Sequence, residues 1–280
     1  MDQSKGSEKV AGLNVKFFTE IPAKELVFSI CTLVASNENY VRQIESFRKF
    51  GFSEKNSEFI AIDNRSKNFF DGFSGLRAVF PHCSGRYILY VHDDIELIED
   101  DAKKLKDTLD ALTLRDPCWM VAGNAGHRPG KFVRSDGLIR HLSDPHGDSR
   151  DAISPVLVQA VDENFIVLRA DAMVFPSRDI GGFHFFAADL SLQAELAGGT
   201  TYVIPFFLRH HSAGKVGPDF KKCMSTFKTK YSRIFRGRVI RTCAARVPCG
   251  LSGQMQMLWG LGTAKLARMM SALRCVALRQ

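Results

Sequence analysis

Acidic side chains disappear from this sequence after Asp219. Beyond that point no Asp or Glu occurs, while Lys221 to Arg279 supply 13 basic residues. The chain before it carries 25 Lys or Arg against 30 Asp or Glu, so the formal net charge of +8 combines an acidic body with a basic C-terminal segment. That pattern excludes a uniformly basic nucleic-acid binder, and nucleic acid is not an expected partner. The seven cysteines never form Cys-x-x-Cys and are odd in number. This argues against a zinc ribbon or a disulfide framework and suits a reducing compartment. No apolar run approaches the roughly 20 residues of a membrane-spanning helix. The opening MDQSKGSEKV has no apolar core of the kind a secretory signal needs, so a cytoplasmic protein is expected. Gly-x-Gly-x-x-Gly and the phosphate-binding P-loop are both missing, as are internal repeats and low-complexity tracts. There is no nucleophile elbow and no plausible Ser-His-Asp spacing, which excludes the usual serine-nucleophile designs.

What is present centres on Arg86–Leu97, RYILYVHDDIEL. Tyr87 to Val91 form a short, dense run of apolar and aromatic residues after Gly85, predicting a fully buried strand. His92-Asp93-Asp94 then falls where that strand leaves its sheet. Two carboxylates and an imidazole at such a place suit a divalent cation, which takes its other ligands from water and substrate phosphate. The same residues also suit a turn that caps the next helix.

Two more strands precede it. Leu26–Val34 is apolar and ends in Ala35-Ser36-Asn37-Glu38, a helix-capping turn. Val41, Ile44 and Phe47 share one helical face up to Gly51, and Glu58–Ile62 is the next strand, followed by Asp63-Asn64-Arg65-Ser66. Strand, helix, strand in so short a span predicts a parallel βαβ unit. A helix is expected over Ser74–Cys83, another with Leu105, Leu109 and Leu112 as its buried stripe, and a strand over Trp119–Ala122. Asn124–Pro155, rich in Gly, Pro, His and Asp, predicts a long functional connection, its three histidines His127, His141 and His146 solvated or facing the acceptor. Val156–Val161 and Phe165–Leu168 predict paired strands with Asp162-Glu163 at the hairpin tip. Phe186–Leu196 predicts a helix, and Thr201–Leu208 one strand ending at Arg209-His210-His211. Polar groups after the first three strands would then face one crevice, the place where open parallel sheets bind ligands.

Four segments, in this order, resemble the glycosyltransferases of the GT-A fold, inverting family 2: SICTLVASNE, IAIDNRS, GLRAVFPHCSGRYILYVHDDIEL and FFAADLSLQAELAGG. The His-x-Asp form of the third is similar to the subgroup named after a streptomycin-biosynthesis protein. The resemblance covers roughly Leu26 to Ser212. It implies an α/β, Rossmann-like, mostly parallel central sheet flanked by helices. The resemblance makes 26–213 the catalytic domain, preceded by 1–25, a lead-in by its mixed polar composition, and followed by 214–280, a basic helical extension. It further implies a nucleotide-sugar donor of UDP or GDP type, contacted by Ser36, Asn37, Glu38, Asp63, Gly75 and Asp93. Asp94 would bind a divalent metal, with His92, His210 and His211 as further ligands. Imidazole suits Mn²⁺ better than Mg²⁺, so His92 tilts the choice toward manganese. The family's acidic pair stands here as Ala188-Asp189, leaving Asp189 as the base that deprotonates the acceptor. The acceptor would be a glycan, lipid-linked or protein hydroxyl, in glycan or envelope polysaccharide synthesis.

Two other classes compete. A nucleotidyltransferase would carry a Gly-rich, basic loop after the first strand, and Ala35-Ser36-Asn37-Glu38 has neither. An inactive scaffold is suggested by His92 and Ala188, both departures from the family. In the basic segment, Lys221 to Arg246 mixes nine Lys or Arg with Phe227, Tyr231, Ile234 and Phe235. Leu258, Leu266, Met269, Leu273 and Val276 then fall at helical spacing beside Lys265, Arg268, Arg274 and Arg279. Such a helix either packs on the catalytic domain or lies on an anionic membrane surface, which would seat the protein peripherally at the inner face of the membrane.

Overall fold

The computed structural model describes residues 7–10, 13–16, 24–129, 137–212, 214 and 217–258. A ribbon of β1 (Ser7–Val10) and β2 (Leu13–Lys16) comes first. Then follow β3 (Leu26–Val34), α1 (Asn37–Lys49), β4 (Ser57–Asp63), α2 (Gly72–Val79) and β5 (Gly85–His92). The middle of the chain gives β6 (Ile95–Glu96), α3 (Ala102–Arg115), β7 (Trp119–Gly123), β8 (Ala125–His127), β9 (Leu138–Asp144) and β10 (Gly147–Arg150). After these come β11 (Val156–Leu157), β12 (Ala160–Val161), β13 (Phe165–Arg169), α4 (Phe186–Leu196), β14 (Thr200–Val203) and β15 (Leu208–His210). The described chain closes with α5 (Pro218–Ile234), β16 (Arg238–Arg241), β17 (Arg246–Cys249) and a helical stretch at 250–258.

The main sheet has the order β11-β14-β7-β13-β5-β3-β4. β4, β3 and β5 are parallel neighbours, as are β7 and β14, while β13 runs against β5 and β7. This is the mixed, mostly parallel sheet flanked by helices that the resemblance implies. Alternation along β3 and β5 splits the core into two layers. Phe28, Ile30, Tyr87 and Leu89 pack with Phe47 of α1 and Leu105 and Leu109 of α3. Cys31, Ile88 and Tyr90 face the other way, toward Leu76 of α2 and the residues of α4. Strands buried on both faces explain the unbroken apolar runs of the sequence.

A second sheet, β12-β8-β9-β15-β6 with β10 beside β9, lies partly within the segment expected to be a long connection. Asn124–Pro155 is therefore a correction: where described, it supplies β8, β9 and β10 rather than irregular chain. Its β9–β10 hairpin turns through Pro145-His146, with Gly147 at φ +116, a conformation that favours glycine. His127 and His141 are buried, 5% and 3% exposed, rather than solvated. The expected Asp162-Glu163 hairpin is absent as well. β12 pairs with β8, and β13 with β5 and β7, so residues 162–164 cross from one sheet to the other. The strand expected over Thr201–Leu208 is two strands in different sheets, because Pro205 lacks the amide that a continuous ladder needs.

The basic segment packs into the core from α5 through β17. Phe220, Cys223, Phe227 and Tyr231 form one buried face of α5, and Phe227 lies 5.1 Å from Phe185 between ring centroids. Ile240, Val247 and Cys249 of the β16–β17 hairpin join the same cluster. Truncating a wholly buried phenylalanine such as Phe227 costs about 3–5 kcal/mol, so this part of the chain is structural. The amphipathic pattern from Leu266 to Arg279 lies outside the described residues.

Candidate active site

The chain passes from the main sheet to the second sheet just after β5, and the cation ligands sit at that passage. His92 ends β5, Asp94 follows, and β6 then pairs with β15 so that His210 lies opposite Ile95. His211 N donates to Asp94 O at 3.1 Å, closing the corner. His210 Nε2 is consequently 3.3 Å from Asp94 Oδ1, and His92 Nδ1 is 4.0 Å from the same oxygen. The ligand atoms of His92, Asp94 and His210 lie within 4.8 Å of one another. Two imidazoles and a carboxylate around one point fit a divalent cation of the manganese type. Burial alone would raise the Asp94 carboxyl, but His210, His92 and Ser212 hold it far below the usual range. Burial likewise pulls His210 down, and Asp94 more than reverses this, so its imidazole titrates above the usual value. Gln43 fixes the end of β5 from α1: its amide donates to His92 O and accepts from Thr32 Oγ1 at 2.7 Å.

One expected ligand stands apart. His211 turns its ring to Glu96, with Nε2 2.8 Å from Oε2, and joins no cluster with Asp94. His210, and not His211, is the histidine of β15 that stands with His92 and Asp94.

Beside the cluster stand the ends of β3 and β4. Ser36 caps α1, its Oγ accepting from Asn39 N at 3.3 Å. Asp93 reaches across to this turn, where its Oδ2 accepts from Ala35 N at 2.8 Å and Ser36 N at 2.7 Å. It thereby positions the turn, with one oxygen already committed to protein amides. Arg65 joins the two strand ends: it grips Asp63 through Nε and Nη2 (3.0 and 2.9 Å) and donates to Asn37 Oδ1 at 3.0 Å. This guanidinium holds the Asp63 carboxyl down at about 2. The expected residues Asn37 and Asp63 are thus brought together. Glu38 lies next to them in the first turn of α1. Arg65 is the residue that sequence reasoning missed, although the IAIDNRS segment contained it.

Two expected site residues are in the core instead. Gly75 lies under α2, where a Cβ would meet Tyr90 Oη at 2.9 Å and Leu33 at 3.4 Å. It permits the helix to approach the sheet and does not face the crevice. Asp189 is wholly buried, at 0% exposure. Its Oδ2 accepts from Ser177 N at 2.7 Å, and its Oδ1 accepts from Ser177 Oγ and Tyr231 Oη, both at 2.6 Å. Burial raises its carboxyl in spite of these donors. No acceptor hydroxyl reaches a carboxylate so enclosed. The base role expected for Asp189 is corrected to that of a buried tie between α4, the Ser177 segment and α5.

The 162–164 crossing returns a pair of carboxylates to the same end of the sheet. His92 N donates to Asn164 O at 3.0 Å, which sets this crossing against the end of β5. Asp162 Oδ2 accepts from Asn164 Nδ2 at 2.6 Å, and its charge adds to that of Asp94 in favouring the His210 imidazolium, whereas burial and the neighbouring His210 hold His92 below its usual value. Glu163 lies 3.7 Å from His184.

The chain matches no protein-family profile. A protein of Fuscovulum blasticum named ATP synthase subunits region ORF 6 is 40% identical over 229 residues, which span 80% of this chain and 91% of that protein. Among solved structures, S. aureus TarS 1-349 in complex with UDP-GlcNAc is similar at a TM-score of 0.47 and 12% identity, over 73% of this chain and 66% of that one. GalNAc-T7 with UDP, GalNAc and Mn²⁺ is similar at 0.48 and 10%, over 72% and 48%. This chain spans just under two thirds of the TarS chain and about half of the GalNAc-T7 chain.

Proposed function

We propose that this chain, which belongs to the same family as the ATP synthase subunits region ORF 6 protein of Fuscovulum blasticum, is a metal-dependent, inverting glycosyltransferase that uses a nucleotide-diphosphate sugar. The observation that carries the proposal is the meeting of His92, Asp94 and His210 beside the strand ends that hold Asn37, Asp63 and Arg65. A cation held there would offset charge on the departing diphosphate. Asp94 supplies the anionic ligand, His92 and His210 the neutral ones. Asn37, Asp63 and Arg65 present acceptors and a donor to the nucleoside, on the crevice side of the parallel strands. Asp93 keeps the Ala35-Ser36 turn in place beneath it. Inversion needs a single displacement at the anomeric carbon and one base on the acceptor side, and no covalent intermediate.

A peripheral membrane seat is part of the same proposal. The helix at 250–258 leaves Leu251, Met255 and Leu258 exposed at helical spacing, and no acidic residue follows it in the sequence. Among the described residues no helix is long and apolar enough to cross a membrane. A lipid-linked acceptor in envelope polysaccharide synthesis would suit such a seat. Sedimentation with anionic vesicles at low and high salt tests it, and equal, negligible binding at both ends it.

The function is tested by thermal shift with UDP and GDP, with and without Mn²⁺, followed by turnover over a set of nucleotide-sugars. Metal-dependent stabilisation by one diphosphate is expected. Stabilisation by none, with no turnover, leaves a binding protein without this chemistry.

A further inference from the structure

We propose that the pocket between the 162–164 crossing and the β16–β17 turn is the acceptor subsite of the proposed transfer, that it takes a sugar hydroxyl, and that Glu163 is the base. The inference rests on the glycosyltransferase reading and adds the half of the site that Asp189 does not supply. The pocket is narrow, with about 30 Å³ open to a water-sized group, and its lining includes Glu163, Phe185, Ala188, Phe220, Thr242 and Cys243. It is composite. Glu163, Phe185 and Ala188 come from the catalytic body, whereas Phe220, Thr242 and Cys243 belong to the basic C-terminal segment.

Its place follows from backbone geometry. Asn164 O receives His92 N, so Glu163 lies one residue from the point where the crossing touches the strand that bears the cation ligands. Ala188, on α4, offers only a methyl group to the pocket, while Asp189 beside it points into the core. Two carboxylates line the pocket: Asp162 turns one oxygen to Asn164 N and Nδ2, and Glu163 is the other. Glu163 Oε1 accepts from Phe185 N, a contact made possible by the left-handed backbone of Phe185 at φ 69. Non-glycine residues held in that conformation cluster at functional sites. The other oxygen, Oε2, faces His184 Nδ1 across 3.7 Å, too long for a hydrogen bond, and so remains open to a substrate proton. Phe185 and Phe220, with centroids 5.0 Å apart and rings tilted by 45°, give the pocket an apolar part beside its polar lining. A small, mixed pocket of this kind suits a hydroxyl at the edge of a sugar ring rather than an acyl chain.

In the transfer, the acceptor oxygen forms its bond to the anomeric carbon while its proton passes to Glu163 Oε2. The anomeric C–O bond to the diphosphate breaks, and its electron pair leaves with the diphosphate. Glu163, with about a quarter of its side chain exposed, then releases the proton to solvent. The groups facing Glu163 are His184 and Asp162, with the Cys223 and Cys243 thiols beyond, and Asp219 faces His184 from α5.

The test uses the full chain with Mn²⁺ and water as stand-in acceptor. Hydrolysis of UDP-glucose, UDP-N-acetylglucosamine and GDP-mannose is followed by diphosphate release, and UDP and GDP binding by calorimetry. Glu163→Gln should lower turnover about 100-fold or more, with nucleotide affinity and melting temperature unchanged. His184→Asn removes a cation that favours the carboxylate, so it should keep partial turnover and move the acidic limb of the pH profile upward. Wild-type turnover and pH profile in Glu163→Gln would overturn the assignment. Joint loss of nucleotide binding and thermal stability in that variant would overturn it too, by making Glu163 a structural residue. If the wild-type chain itself neither binds a diphosphate nor hydrolyses any donor, the glycosyltransferase reading falls and this proposal with it.

Discussion

On the side proposed for the donor, the polar groups stand at the ends of parallel neighbours. Asn37 and Asp63 follow β3 and β4, Arg65 ties them, and Asp93 braces the turn between them from the end of β5. On the other side the groups come from crossings between two sheets and from the C-terminal segment: Asp94 and His210 at one corner, Asp162 and Glu163 at another, Phe220 and Cys243 opposite. The first side is made by local rules, a strand followed by a capping turn. The second exists only when distant pieces have docked. A donor subsite of the first kind can be common to many transferases, whereas a subsite of the second kind is free to change with the acceptor.

The hardest blow to the comparison falls at the corner. Asp94→Ala should weaken Mn²⁺ binding about 100-fold or more by calorimetry, since loss of even a supporting partner costs 10–100-fold at metal sites. His211→Ala, which loses only Glu96, should leave Mn²⁺ affinity unchanged. Equal losses in both would place the ion elsewhere. The next effect is on stability. Asp189→Ala strands Ser177 and Tyr231 as buried donors and should cost about 3 kcal/mol or more in denaturant unfolding. Its pH dependence has a definite sign. Burial holds the folded-state carboxyl of Asp189 above its unfolded value, so its contribution is full below the ordinary carboxylate pKa and is lost as pH rises through the raised one. The stability advantage of wild type over Asp189→Asn should therefore shrink with rising pH across that window. An advantage that grows instead would mean the folded protein prefers the ionised group. Smaller still, Asp93→Ala leaves the Ala35 and Ser36 amides without their carboxylate. It should cost about 1–3 kcal/mol and loosen diphosphate binding more than Mn²⁺ binding. Weakest is the titration of Asp63, held at about 2 by Arg65. In Arg65→Ala its carbon chemical shift should titrate near the ordinary value of about 3.9.

The donor side was legible because buried parallel strands write continuous apolar runs, and LVFSICTLV and RYILYVH fall on β3 and β5. The second sheet was not, since its strands are short and partly exposed, and Gly147–Arg150 looks like loop by composition. Two signals were present but unread. Pro205 forbids one strand through Thr201–Leu208. Phe220, Cys223, Phe227 and Tyr231 recur at helical spacing, a core face inside a basic segment. Asp189 was misplaced for a different reason. Sequence spacing assigns a residue to a helix, but the partners that decide its role, Ser177 and Tyr231, come from other parts of the chain.

The docking of Tyr231 onto Asp189 bears on how the protein is made. As the chain leaves the ribosome, β3 to β5 emerge first with His92 and Asp94, and His210 follows much later. The α5 helix and the β16–β17 hairpin, which close the last core layer and the wall opposite Glu163, appear nearly at the end. A nascent or prematurely terminated chain thus carries the turns after β3 and β4 without the last core layer. Complete folding waits on synthesis through Cys249.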